Sequence, residues 1–371
     1  MSPRSSPSSR PSEFFRSVKV ALLGLTHPHS GILLTTLENF PEVTSISLWD
    51  ADPAAVASPG LPQSRKVTSS GSNLDALLAQ PDLVFVILCV RHDQVAAIAQ
   101  RVVAAGKHLA VEKPAGLTSA EILAVQRAAQ RAKVVASVLY TRRFHPCVVA
   151  ARALAQSEAI GPLYSVECRF LTTQVKFRNP DSWLFRRQQA GGGILLWLGC
   201  HCLDLLHHVT GDEIVDVAAF LAIRSGQAID VEDTAALTLR FKSGAVGTFH
   251  AGYTLAYSGQ GYVNMAGYDS YLAINGRNGR VVWPDLEPHL LVEHAREPGV
   301  APMREEKFSN PPSTSYGRAG GEIFFRQFIA AIEGRESPPT TLADALRTAR
   351  IVEAAEESSA TGKTVRINAA I

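Results

Sequence analysis

The sequence predicts an α/β protein: a doubly wound parallel sheet, then a second α/β domain with a mostly antiparallel open sheet. Three observations predict it. From Val18 to about Tyr140, short β-rich runs alternate with longer helical ones, the signature of repeated βα units. One of these runs, Leu83-Val84-Phe85-Val86-Ile87-Leu88-Cys89-Val90, is apolar throughout, as a strand covered on both faces must be. After Arg143 the texture changes to alternating β-rich runs divided by turn residues, which suits an antiparallel sheet with one covered face.

In chain order, Val18 to Gly24 and Ser45 to Asp50 read as the first two strands. His108 to Val111 and Val134 to Leu139 follow the apolar run as further strands. Asp93 to Ala105 and Ser119 to Ala132 carry helical spacing, the second with Thr118 placed to cap it. In the second half, Tyr164 to Thr173, Ile214 to Ile223, Thr234 to Phe241, Ala245 to Thr254 and Tyr271 to Asn275 read as strands. One strong helix, about Gly193 to Val209, sits among them. Ser309 to Gly321 reads as a loop, and helices close the chain at about Glu322 to Glu333 and Leu342 to Ser358. The expected division is an extension over 1–17, a first domain over 18–140 and a second over 141–371. The last helix is expected to pack back on the first domain.

The 371 residues suffice for two cores. A hydrophobic share of 46% with 19% charged residues describes an ordinary globular chain. A net charge of +2 gives no electrostatic reason to expect nucleic acid or an anionic membrane as partner. Cys89, Cys147, Cys168, Cys200 and Cys202 are odd in number and irregular in spacing. They predict a reducing compartment, so the cytoplasm is expected. Ile194 to Leu206 is the longest apolar stretch, but Gly199, His201 and Asp204 interrupt it, and a membrane helix needs about 18 residues. Met1 to Ser17 is rich in Ser, Pro and Arg without an apolar stretch, and reads as a disordered extension rather than a secretory signal.

Chemistry concentrates at a few places. Glu112-Lys113-Pro114 closes an apolar run at the carboxyl end of a predicted strand, where α/β sheets bind their ligands. The proline fixes the local backbone, and an ammonium held there can polarise a substrate oxygen. The first strand runs into Gly24-Leu25-Thr26-His27-Pro28-His29. A Rossmann fingerprint wants glycine at the positions of Gly24, Thr26 and His29, and only the first is present. Thr26 is expected to cap the following helix or bond a phosphate, and Pro28 to fill its first turn. Asp50 ends the second strand near the spacing at which an acid meets the adenosine ribose, which favours NAD over NADP. At this level a turn that binds nothing, with Asp50 a simple turn residue, remains the competing reading.

The chain resembles the Gfo/Idh/MocA family from Val18 to Ile367. The resemblance rests on Ala104 through Pro114, on Tyr140-Thr141-Arg142-Arg143-Phe144-His145-Pro146, and on Gly191-Gly192-Gly193 through Asp204. Glu232-Asp233-Thr234 and Phe241 through Gly247 also fit. It implies a Rossmann domain, then an α/β domain whose open sheet serves a homodimer or homotetramer. It further implies NAD(P)-dependent hydride transfer at a carbinol or keto carbon of a sugar, cyclitol or related polyol. Carried over by position, Lys113 is the catalytic lysine and His201 the general base. Asp204, three residues on, is expected to orient the imidazole. Gly24, Thr26, His27, His29, Asp50, Cys89, Arg91, Gln94, Glu112 and Lys113 are expected at the cofactor, and Arg143, Trp183, Trp197 and His201 at the substrate.

Two segments depart from the family. Trp197 stands where many members have Asp, either stacking on a sugar ring or filling core. Cys89-Val90-Arg91-His92-Asp93-Gln94 replaces the usual Thr-Pro-Pro segment. Specificity is expected in the loops Thr172 to Ala190 and Tyr257 to Asp269, with Arg186 or Arg187 beside Trp183. Three alternatives stay open: a non-redox lyase or glycosidase recycling bound NAD, a non-catalytic sensor, and a metal enzyme. The last is disfavoured because, of Cys200, His201, Cys202, Asp204, His207 and His208, only subsets such as His201, Asp204 and His208 share a helical face. No metal is expected.

Overall fold

The computed structural model describes residues 17–58, 60–172, 178–253, 268–285, 287–294 and 304–367. Nearly all of the expected Met1 to Ser17 extension, and much of the two expected specificity loops, lie outside these residues.

Six parallel strands form the first sheet: β1 (Val18–Leu23), β2 (Val43–Trp49), β3 (Val67–Gly71), β4 (Leu83–Leu88), β5 (His108–Val111) and β6 (Ala136–Val138). Their order is β3-β2-β1-β4-β5-β6. The strand sequence reverses between β1 and β4, which opens a crevice at their carboxyl ends. The apolar run of β4 is explained by burial on both faces: Val86 and Leu88 join one core, Phe85 and Ile87 the other. β3 escapes sequence reading because it is an edge strand whose Thr68, Ser69 and Ser70 face water. Thr118 caps the helix Ser119–Ala132, accepting from the Glu121 amide.

The second sheet has nine strands in the order β14-β13-β12-β11-β7-β10-β9-β8-β15. They are β7 (Leu163–Thr172), β8 (Ile214–Ala222), β9 (Thr234–Phe241), β10 (Val246–Gly252), β11 (Tyr268–Gly276), β12 (Gly279–Trp283), β13 (His289–His294), β14 (Arg304–Lys307) and β15 (Val365–Arg366). All pairs are antiparallel except β7 with β10. β12 to β15 were not expected: they are short and sit toward the two edges of the sheet. One face is covered by the helices Pro146–Ala155 and Cys200–Thr210. The other leaves Phe220 79% and Val246 52% exposed.

The first of the two closing helices packs on the first sheet, and the second bridges both sheets, with its Ile351, Val352, Ala354 and Ala355 in the second sheet's core and Ser358 accepting from the Ala219 amide of β8. Arg318–Ile332 puts Phe324, Phe325 and Phe328 into one face of the parallel sheet's core. Leu342–Thr361 puts Leu342, Ala345, Leu346 and Ala349 into the other.

The expected single helix at Gly193 to Val209 is instead a π-helical turn, Leu195–Gly199, leading into an α-helix, Cys200–Thr210. Such turns insert one residue into the helical ladder. Gly193 is required here, because an added Cβ would lie 1.8 Å from the Glu232 carbonyl oxygen. The Glu232 carboxylate then accepts from the Gly193 and Leu195 amides at 2.8 and 3.1 Å, capping the helix start. The run Arg187–Thr210 is long and apolar enough for a bilayer, but 89% of its apolar window is buried inside the fold. It is a core helix.

Candidate active site

The crevice above β1, β4 and β5 collects the residues singled out in the sequence. Gly24 takes φ +95°, and a Cβ there would lie 2.1 Å from the Cys89 carbonyl oxygen. Only glycine lets this loop turn against the end of β4. Gly24, Thr26, Asp50, Arg91, Gln94 and Trp183 line a groove of about 400 Å³, within the range of small-ligand sites. Asp50 stiffens its wall, accepting from the Leu25 amide at 2.8 Å and the Asp52 amide at 3.0 Å. The Arg91 guanidinium forks onto Asp93 at 2.7 and 2.9 Å.

Two local expectations change. Thr26 is exposed and does not cap the helix Ser30–Asn39, and Pro28 lies ahead of its first turn. His29 occupies the N-cap, and Ser30 ties the turn back through its hydroxyl to the Gly24 carbonyl at 2.7 Å. The Cys89 side chain is buried against His27, with Sγ 3.1 Å from Nδ1. It therefore backs the loop and is absent from the groove lining.

Inward of the groove, His27, His29, His92, Trp183 and Trp197 pack as one aromatic cluster with centroids 4.8 to 6.5 Å apart. His27 Nδ1 accepts from the His29 amide at 3.1 Å, so its neutral ring carries the proton on Nε2. His92 Nδ1 donates to the Ala190 carbonyl at 2.8 Å, which leaves its Nε2 bare. Both Nε2 atoms are buried without a partner among the described residues. Burial pushes His92 down to about 3 and His27 well below its ordinary value, so both are uncharged near neutral pH.

Lys113 ends β5's apolar run fully buried, and its bond to Pro114 is cis. Nζ donates to the Trp197 carbonyl at 2.7 Å and stands 3.7 Å from the indole centroid. Trp197 thus covers the ammonium by a cation–π contact, and its own burial makes it core rather than an open sugar platform. Burial lowers the Lys113 pKa, with Glu112 opposing. Glu112 Oε1 lies 3.7 Å from Nζ and receives His29 Nδ1 at 2.9 Å and the Tyr316 hydroxyl at 3.0 Å. Burial alone would raise the Glu112 carboxyl, but His29, Lys113 and Tyr316 hold it below its ordinary value. Tyr316 was missed because it lies in a segment that reads only as loop; no local signal marks it.

His201 is buried on the second-sheet helix, its ring 6.0 Å from that of Tyr140. Burial first, then Lys113, Arg142 and His29, push it well below the ordinary histidine range. Among the described residues its Nδ1 has no partner. Asp204 does not orient it, which corrects that expectation: both carboxylate oxygens go to Arg143, at 2.8 and 2.5 Å. A carboxylate this buried needs the guanidinium fork, which a single imidazole N–H cannot replace. Arg143 also pairs with Asp344 at 3.0 Å. It is therefore a buried clamp and not the substrate residue expected. Arg186 is spent on Asp181 and the Ala228 carbonyl, and Arg187 on Glu232 and Glu356, so neither joins Trp183 in the groove lining. Among the described residues no three His, Cys, Asp or Glu side chains are grouped to hold a metal.

Residues 18–140 match the family described as an oxidoreductase family with an NAD-binding Rossmann fold, and residues 148–282 match the GFO/IDH/MocA C-terminal domain. The chain is 26% identical to a levoglucosan dehydrogenase of Pseudarthrobacter phenanthrenivorans, over 79% of this chain and 82% of that protein. It is 27% identical to an inositol 2-dehydrogenase of Rhizobium meliloti, over 79% of this chain and 84% of that one. A solved levoglucosan dehydrogenase with NADH and L-sorbose superposes with a TM-score of 0.80 at 24% identity, over 95% of this chain and 99% of that chain. The last match carries the fold alone.

Proposed function

Since the chain belongs to the GFO/IDH/MocA family of NAD-binding oxidoreductases, we propose that it transfers a hydride between nicotinamide and a carbinol or keto carbon of a sugar, cyclitol or related polyol. The observation that carries this reading is Lys113: a lysine buried at a strand's carboxyl end, in the crevice beside the Gly24 loop. The groove suits a dinucleotide, with Gly24 allowing close approach, Thr26 exposed toward phosphate, and Asp50 at the adenosine ribose. A carboxylate there repels a 2′-phosphate, so NAD is the preferred form.

NAD, when bound, supplies the hydride acceptor. The protein's part is to hold the substrate oxygen and manage its proton. Lys113 polarises that oxygen. His201, kept uncharged by burial, acts as general acid/base. The aromatic cluster of His27, His92, Trp183 and Trp197 keeps water from the reacting atoms. The open sheet face around Phe220 and Val246 is proposed to join copies of the chain as a homodimer or homotetramer, in the cytoplasm. The test is NADH formation with NAD⁺ and a panel of sugars and cyclitols, after release and identification of any copurifying nucleotide. Tighter binding of NADP than NAD defeats the role given to Asp50.

A further inference from the structure

Oxidising a carbinol liberates one proton at the substrate oxygen for each hydride that leaves its carbon. That proton must reach water, yet Lys113 and His201 are both buried. Among the described residues no side chain is hydrogen-bonded to His201: its Nδ1 lacks a partner there, and the ionisable groups acting on it are Lys113, Arg142 and His29. The one carboxylate on its helix, Asp204, is clamped by Arg143. Lys113 differs, because Nζ stands 3.7 Å from Glu112 Oε1 and that oxygen is bonded to His29 Nδ1 at 2.9 Å. Glu112 is 3% exposed, whereas the His29 side chain is 24% exposed. Tyr316 is no competing carrier: burial and Glu112 hold its phenol well above the ordinary range. It stays protonated and fixes the carboxylate at 3.0 Å.

We propose that the proton taken up by the Lys113–His201 pair leaves through Glu112 and His29, with His29 as the terminal carrier to water. The inference rests on the function proposed above and gives that site its proton exit. Two interacting bases hold a proton as a pair, and Lys113 is the member connected outward. Nζ gives one proton to the Glu112 carboxylate and is recharged by the proton from the substrate oxygen. The Nδ1–H of His29 that donates to Glu112 at rest first exchanges through water to leave Nδ1 bare and Nε2 protonated, and Glu112 then passes its proton to Nδ1. His29 Nε2 then releases one to solvent. One proton enters from the substrate and one leaves; reduction runs the path in reverse. The first hop needs Nζ to close on Oε1 by roughly 1 Å to reach hydrogen-bond distance. His29 stands where a Rossmann fingerprint has its last glycine, so a standard loop would carry no proton acceptor at this point.

The experiment compares the full-length wild type with His29→Ala and His29→Gln. NADH formation from a polyol the wild type oxidises is followed in weakly buffered solution and with added imidazole. Both variants are expected to slow at least ~10-fold in weak buffer. Imidazole is expected to restore His29→Ala in proportion to its concentration while leaving the wild type unchanged. Normal rates in the variants, or slow rates that imidazole does not restore, overturn the relay. A second readout needs no turnover: long-range ¹H–¹⁵N spectra of the histidine rings in the nucleotide-free protein. Glu112→Gln is expected to shift the His29 Nδ1 resonance, and an unmoved resonance overturns the relay on its own. A wild type that binds NAD and oxidises no polyol overturns the proposed function instead, and the relay falls with it.

Discussion

Removing the Asp204 carboxylate tests whether the site's two halves are held together by buried charge. Arg143, from the turn after β6, forks onto Asp204 of the His201 helix and also meets Asp344 of the helix Leu342–Thr361. Three elements from both sheets' surroundings therefore share one guanidinium. Breaking a buried pair by deleting one partner costs about 3–5 kcal/mol. Asp204→Ala leaves Arg143 with Asp344 at 3.0 Å, so about 3 kcal/mol is expected, the low end of that range. Arg143→Ala strands Asp204 entirely and belongs at about 5 kcal/mol. Asp204→Leu combined with Arg143→Met should cost less than either single change, because apolar residues of similar size replace a desolvated pair well. Urea titrations followed by tryptophan fluorescence give the ordering. If Asp204→Ala costs under about 1 kcal/mol, as an exposed pair would, or if the double variant equals the sum of the singles, the clamp is not as described.

Acidification should destabilise the protein in two windows. His92, pushed down to about 3 by burial, is neutral in the fold but charges near 6.5 when unfolded. The stability it contributes is complete above 6.5 and drains as pH falls toward 3. Asp344, held at about 2 chiefly by Arg143 against burial, contributes about 2 kcal/mol above 3.8 that is lost on falling through 2. Asp204 is raised by burial and acts with the opposite sign, weakening the fold as it ionises. Denaturation midpoints against pH check this, and a flat profile from neutral pH down to 4 contradicts it. Asp50→Ala should weaken NAD binding roughly 10-fold or more, the worth of a charge-assisted hydrogen bond, with NADP affected less; equal losses in a fluorescence titration would remove the ribose role. Gly193→Ala forces a Cβ to within 1.8 Å of the Glu232 carbonyl oxygen, so the helix start must shift. A large drop in thermal midpoint is expected, and an unchanged midpoint would refute that packing.

Much of this fold is legible because its strands are buried in regular ways. The apolar run at Leu83 to Val90 could only be a central strand, and Thr118 marked a helix start correctly. β3 was hidden by its polar edge position, and the strands β12 to β15 by their brevity. Within the site, Lys113, Glu112, Asp50 and Trp183 stood out through residue type and position. What sequence could not give was partnership. Asp204 lies three residues from His201 on a helix, which invited a dyad, but the side chain answers to Arg143 far away in the chain. Tyr316 reaches Glu112 from a segment with no pattern at all. Such pairings are set by how the two closing helices clasp the first sheet, and that is not written locally.

The central claim is that Lys113 acts on the substrate oxygen of a hydride-transfer site. Lys113→Met keeps the length of the buried stem while removing the ammonium. NADH formation from an oxidised polyol, measured beside NAD binding on the same sample, is the direct test. The account predicts NAD affinity within a few-fold of wild type and a turnover lower by at least ~100-fold. Turnover near the wild-type rate in Lys113→Met would contradict it.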